Sequence, residues 1–249
     1  MEYFILVILG LAAGSFLNVV IYRLPRQKGF LKGRSFCPHC RHTLGPLDLI
    51  PVLSFIFLKG RCRYCGKPID WQYPLVELAT ALIFVALYLK FALAADFFVY
   101  LLYSLILLVI FVIDLRYYLI LDKISVTAII LAFFLGLFVI KIALWQMLLA
   151  GIIGGGFFLL QFLVSRGKWI GGGDIRLGIL MGFMLGAEKL LLALLVSYLV
   201  GAVTGIMLII FGKKHLKSKV PFGTFLSIST FIVILWGEQI LNLYWTKFF

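Results

Sequence analysis

Residues 97–114 read FFVYLLYSLILLVIFVID, seventeen uncharged residues closed by the carboxylate of Asp114. At about 1.5 Å per residue, a helix of this length nearly crosses a hydrocarbon core about 30 Å thick. A second acid stands in a comparable place. Gly171-Gly172-Gly173-Asp174 leads directly into another apolar stretch. Ionisable groups set against spanning segments are costly, so they point to function by default.

The rest of the chain is built like residues 97–114. Hydrophobic residues make up 63% of the 249 residues and charged residues 13%, with a mean hydropathy of +1.13. A soluble domain of this size needs a charged exterior that such a composition cannot supply. The expected fold is therefore all-α and polytopic, with about eight transmembrane helices near 3–22, 74–93, 97–114, 124–143, 146–165, 175–187, 189–211 and 222–243. The sixth is short and begins at the glycine run, so it is expected to be broken or partly submerged. The first is not expected to be a cleaved signal. Its leading flank carries Glu2, its basic residues follow it, and no small-residue cleavage site closes it.

Basic residues orient the chain. With the N-terminus outside, nineteen of the twenty-three Lys and Arg fall in segments 23–72, 115–123, 166–176 and 212–220, on the cytoplasmic side. Lys90, Lys141, Lys189 and Lys247 remain outside. This asymmetry follows the positive-inside rule and places Asp114 and Asp174 at the cytoplasmic ends of their spans. The net charge of +13 follows membrane topology and forms no isolated basic domain. It implies attraction to anionic membrane lipids, not nucleic acid.

Residues 24–72 form the one long polar stretch, and they contain all four cysteines, as Cys37-Pro38-His39-Cys40 and Cys62-Arg63-Tyr64-Cys65. Paired C-x-x-C knuckles present two thiolates each to one metal, which points to a structural zinc ion. Two disulfides are the alternative, disfavoured in a reducing cytoplasm. His39 and His42 are expected at the surface.

Two carboxylates that meet in a partly dry site can share a proton, one acting as base while the other donates. The plainer readings are that Asp114 caps a helix end or pairs with Arg116, and that Asp174 N-caps the sixth span. Asp122, beside Lys123, is the alternative acid and reads as a helix-flank charge paired to that lysine. Gly151/Gly155, Gly182/Gly186 and Gly201/Gly205 read as small-residue packing faces. Trp145, Trp236 and Trp245 are placed near the outer interface. Neither Ser15 nor Ser54 stands in a nucleophile elbow, which disfavours serine-protease chemistry.

Taken in order, the motifs resemble the prepilin peptidases. They run from Gly14-Ser15-Phe16-Leu17-Asn18-Val19-Val20 and Tyr22-Arg23-Leu24-Pro25, through the cysteine knuckles, to Ile50-Pro51-Val52-Leu53-Ser54. Lys59-Gly60-Arg61-Cys62, Tyr73-Pro74-Leu75-Val76-Glu77, Asp114, Gly171–Asp174 and Pro221-Phe222-Gly223 follow. The chain departs from that family's usual pattern at Arg176 (commonly lysine), Leu121 (commonly proline) and Thr224 (often proline). None of these removes a carboxylate.

The resemblance implies a bifunctional enzyme of the bacterial cytoplasmic (inner) membrane. Such an enzyme cuts the basic leader from type IV prepilin or pseudopilin precursors, then methylates the new N-terminus from S-adenosylmethionine. It implies Asp114 and Asp174 as the catalytic pair of an aspartyl protease of the Gly-x-Gly-Asp type. The glycines before Asp174, Gly171 and Gly173, would let a peptide approach closely. Methyl transfer is placed on the first loop and its flanks, with Glu77 as the acid that binds an amine and Gly60 allowing close backbone approach. Asn18 and Arg23 read as helix-packing and headgroup-anchoring groups. The implied division is a first helix over 1–23, a zinc-binding loop associated with methyl transfer over 24–72, and the membrane peptidase over 73–249. A proton-coupled transporter and a non-catalytic assembly factor are the rival readings. The first lacks the repeat symmetry it would need, and the second leaves the acid pair without a purpose.

Overall fold

The computed structural model describes residues 1–29, 33–211 and 220–248. The four lysines of segment 212–220 (213, 214, 217 and 219) and Lys32 lie outside the described residues. The described residues form helices α1 (Glu2–Arg23), α2 (Leu53–Phe57), α3 (Gln72–Phe91), α4 (Ala95–Tyr117), α5 (Asp122–Phe138), α6 (Leu144–Ser165), α7 (Gly172–Leu185), α8 (Ala187–Ile210) and α9 (Phe222–Phe248). Strand pairing among them is limited to two isolated bridges, Phe36 with Thr43 and Arg61 with Pro68.

Eight of these helices correspond to the eight expected apolar segments. Six (α1, α3, α4, α6, α8 and α9) are long and apolar enough to cross a membrane. The other two fall short. Helix α5 has 17 residues and α7 has 14, so α7 is about 21 Å long against a core of about 30 Å. Gly186, at φ +74, turns the chain from α7 straight into α8.

The chain separates into two compact units, Met1–Ala92 and Leu93–Phe249. The boundary differs from the one implied above, since α3 goes with α1. Gly10 and Gly14 explain that pairing. A Cβ at Gly10 would lie 2.6 Å from Ala81 Cα, and one at Gly14 would lie 2.6 Å from Glu77 Cα. Only bare glycine lets the two backbones come this close. Asn18 extends the seam, donating to the Tyr73 carbonyl at 3.0 Å and accepting from Gln72.

In the second unit α7 is packed by α5, α6 and α9. Gly154 of α6 and Gly178 of α7 are the tightest crossing, where a Cβ on either would come within 2.3–2.5 Å of the other's carbonyl oxygen. The expected small-residue faces divide. Gly151 and Gly155 press on Phe183 and Ile179, and Gly182 presses on Ala150. Gly186 serves the turn, Gly201 makes only ordinary contact with Phe225, and a Cβ at Gly205 would meet nothing within 4 Å.

Candidate active site and metal centre

Asp114 lies inside α4, three residues before its end, because the helix continues past the apolar run to Tyr117. Its side chain is buried. Oδ2 accepts the Thr224 N–H at 3.0 Å, and the Gly223 N–H also bonds the carboxylate. Both donors belong to the first turn of α9, where backbone N–H groups have no partner within the helix. A proline at position 224 could not supply the first of them.

Asp174 is also buried. It stands at the third position of α7, not at the N-cap, and Oδ2 accepts the Gly171 N–H at 2.9 Å while Asp174 N–H donates back to the Gly171 carbonyl at 3.1 Å. This reach-back closes the helix start and fixes the carboxylate at the same time. The two acids lie within electrostatic reach of one another.

Ile120 ties the pieces together. It lies in the short link between α4 and α5, and its side chain fills the space beside both Gly173 and Gly223. A Cβ at Gly173 would lie 2.7 Å from Ile120 Cβ, and one at Gly223 would lie 2.9 Å from both Ile120 Cδ1 and Asp114 Oδ2. Sequence reading passes over Ile120, since one isoleucine among so many carries no local signal. Asp122 pairs with Arg176 of α7 rather than with Lys123. The ion pair joins α5 to α7 at the exposed edge of the site.

In the first unit the four cysteine Sγ atoms all lie within 4.8 Å of one another, with Cys37 and Cys65 at 3.9 Å. Thiolates about 2.3 Å from a tetrahedral metal stand about 3.8 Å apart, whereas a disulfide needs about 2.05 Å. The four-thiol cluster therefore fits a metal ion. Each knuckle is closed by backbone bonds, Cys37 N–H to the His42 carbonyl at 3.0 Å and Cys62 N–H to the Lys67 carbonyl at 2.9 Å. His39 is exposed, and the ring of His42 lies 3.6 Å from that of Tyr64.

Asp48 braces the second knuckle. Its carboxylate takes the Gly45 N–H at 3.0 Å, the Tyr64 hydroxyl at 3.1 Å and Arg63 Nε at 2.8 Å. Burial alone would raise its pKa, but these donors outweigh it and hold the carboxyl below its ordinary value. Arg23, expected to anchor headgroups, is buried and instead donates to the carbonyls of Gly29, Gly33 and Arg34. A guanidinium has five donors in a planar fork, which suits it to gathering a loop.

Glu77 is buried, and its Oε2 accepts the Val52 N–H at 2.8 Å. Val52 has φ 61 and ψ −49, with Leu53 N–H bonding the Pro51 carbonyl at 2.6 Å. This is a γ-turn of the rare, strained hand, on a β-branched residue. Such strain persists only where the surroundings impose it. Gly60, at φ +67, is a turn residue with Phe55 packed against it, so its left-handed backbone is what requires glycine.

Residues 8–91 match the bacterial peptidase A24 N-terminal domain, and residues 100–206 match the type IV leader peptidase family. The prepilin leader peptidase/N-methyltransferase of Bacillus subtilis (strain 168) is 34% identical over 245 residues, covering 96% of this chain and 96% of that protein. Its counterpart from Aeromonas hydrophila is 35% identical, over 99% of this chain and 95% of the relative. That from Pseudomonas aeruginosa is 32% identical, over 96% and 91%. No solved structure matches. With matches over both units and relatives aligned along nearly the full length, the chain belongs to the type IV leader peptidase family.

Proposed function

We propose that this protein cleaves the leader from type IV prepilin-like precursors at the cytoplasmic face of the membrane, with Asp114 and Asp174 as the catalytic pair, and N-methylates the exposed residue. The observation that carries the peptidase reading is the convergence of two buried carboxylates, held by the starts of α9 and α7, around Ile120. Family membership supports it.

One carboxylate, ionised, takes a proton from water as the oxygen attacks the scissile carbonyl. The other, protonated, donates to that carbonyl oxygen, and the roles reverse as the amine leaves. Oδ2 of Asp114 accepts the Thr224 N–H and Oδ2 of Asp174 accepts the Gly171 N–H, which fixes the orientation of both carboxylates.

We assign zinc to the four-thiolate site, as a closed structural ion with no open position for catalysis. It would staple a loop too small to build its own core. S-adenosylmethionine would supply the methyl group. The buried Glu77 suits the other reactant, binding the new ammonium group and taking a proton from it. The described residues of the first unit offer no glycine turn between a strand and a helix of the kind that holds an adenosine moiety.

The charge asymmetry supports an N-terminus outside, with the cysteine loop and both aspartates on the cytoplasmic side of a multi-pass inner-membrane protein. There the basic loops would meet anionic lipid headgroups. The test is cleavage of a purified model prepilin by the wild type, Asp114→Asn and Asp174→Asn, read by mass spectrometry. The wild type should cut after the leader, and each variant should lose about 10²–10⁴-fold in rate. Adding S-adenosylmethionine to the cut product should add the mass of one methylene. If both variants cut as fast as the wild type, the carboxylate pair is not the catalyst.

A further inference from the structure

Gln161 of α6 and Tyr198 of α8 form a polar pair that nothing in the carboxylate chemistry uses. Gln161 Nε2 donates to the Tyr198 hydroxyl at 2.8 Å, and that hydroxyl donates back to Gln161 Oε1 at 3.0 Å. Tyr198 is 38% exposed and Gln161 is half-buried. Tyr198 stands twelve residues before the end of α8, about 18 Å along the helix axis. Polar groups that face outward from within a spanning helix are unfavourable unless something meets them.

The pair is linked to the Asp114 cradle through the ring of Phe222. Tyr198 is within electrostatic reach of Asp174. Its ring lies 5.0 Å from that of Phe222 and 5.9 Å from that of Phe157. Phe222 directly precedes Gly223 and Thr224, whose N–H groups hold Asp114. A primary amide has two N–H donors and two acceptor lone pairs, and the pairing with tyrosine occupies one of each. What remains is one donor and one acceptor, the same complement a peptide unit presents.

A substrate that arrives as a membrane-embedded helix must be opened at the bond to be cut, since a helical carbonyl is engaged along its own axis. Opening it leaves backbone N–H and C=O groups without their helical partners at the membrane edge, where few waters replace them. We propose that Gln161 and Tyr198 form a substrate subsite that binds the unwound backbone next to the scissile bond, with Phe157 and Phe222 as the apolar wall for the neighbouring side chain. This deepens the leader-peptidase reading and rests on it. The occupant is an extended peptide segment that enters from the membrane.

The plain alternative is an interhelical hydrogen bond that only packs α6 on α8. Two variants separate the readings. Tyr198→Phe leaves the amide without its partner, whereas Gln161→Leu combined with Tyr198→Phe removes both polar groups and restores an apolar contact. The experiment measures Tm in detergent, kcat and KM for a full-length prepilin. It also measures the Kd of the uncleaved precursor in an Asp114→Asn background, with and without the double change.

A subsite predicts that the double variant keeps the wild-type Tm and kcat while KM and Kd rise about five- to tenfold, the loss of one or two hydrogen bonds. If KM and Kd of the double variant equal the wild-type values, the pair serves packing alone and the subsite is wrong. A wild-type protein that fails to cut at all would instead overturn the leader-peptidase reading, and the subsite with it.

Discussion

Ile120 Cβ lies 2.7 Å from where a Cβ of residue 173 would stand, so the link after α4 rests directly on the bare backbone of α7 at the residue before Asp174. The same side chain reaches Gly223 at the start of α9. One aliphatic residue thereby sets the spacing of the two helix starts that hold the carboxylates. A shape constraint of this kind is stiff, because packed interiors leave no void to absorb a methyl group.

Alanine at these glycines tests the wedge. Gly173→Ala gains helix propensity but forces overlap with Ile120, and overpacking costs about 1–3 kcal/mol. Cleavage should fall at least about tenfold in kcat/KM, with Tm lowered by roughly 2–4 °C for each kcal/mol of overlap. Gly223→Ala should be the more damaging, because its Cβ would stand 2.9 Å from Asp114 Oδ2 itself. Equal and wild-type-like kinetics for both variants would dismiss the wedge.

Asp122 is the further acid near the proposed pair. It is exposed and paired with Arg176, and surface ion pairs contribute about 0–1 kcal/mol. Asp122→Asn should therefore keep cleavage within about fivefold of wild type. A loss as deep as that of Asp114→Asn would move Asp122 into the reacting pair.

Metal removal should act on the first unit. Cys62 is buried within the cluster, and Cys62→Ser should abolish stoichiometric zinc measured by elemental analysis. Structural zinc sites contribute folding free energy directly, so limited proteolysis between residues 33 and 72 should accelerate sharply. Zinc content at the wild-type level in this variant would contradict the four-thiolate assignment.

The brace at Asp48 has a defined pH dependence. A carboxyl held below its ordinary value contributes stability that is present above the unfolded value and is lost as pH falls through the lower folded one. Asp48→Asn should thus lower Tm by a similar amount at about pH 8 and about pH 5, both above that window. A gap that closes between those two pH values would mean that another group supplies the effect.

Much of this was legible in the residues themselves. The apolar runs and their breaks place the eight helices within a few residues, since lipid and packing both demand long uninterrupted apolar stretches. The cysteine spacing points to one metal cluster because knuckle geometry is local. Asp114 and Asp174 stand out because carboxylates beside spanning helices are rare. The pairing of α1 with α3 had a readable signal too, in Gly10 and Gly14, which sequence reading passed over.

Other features depend on which surfaces meet, and no local pattern encodes that. Asp114 lies 110 positions from the Thr224 N–H that holds it. Ile120 gains its role only because two glycines from distant segments converge on it. Arg176 takes Asp122 from the adjacent Lys123 because α5 packs along α7, and Arg23 turns inward because loop carbonyls surround it. Hydrophobic patterning and turn chemistry act over a few residues and so settle where helices begin and end. Contacts between helices depend on shape matched across the whole unit, and only the tertiary structure decides them.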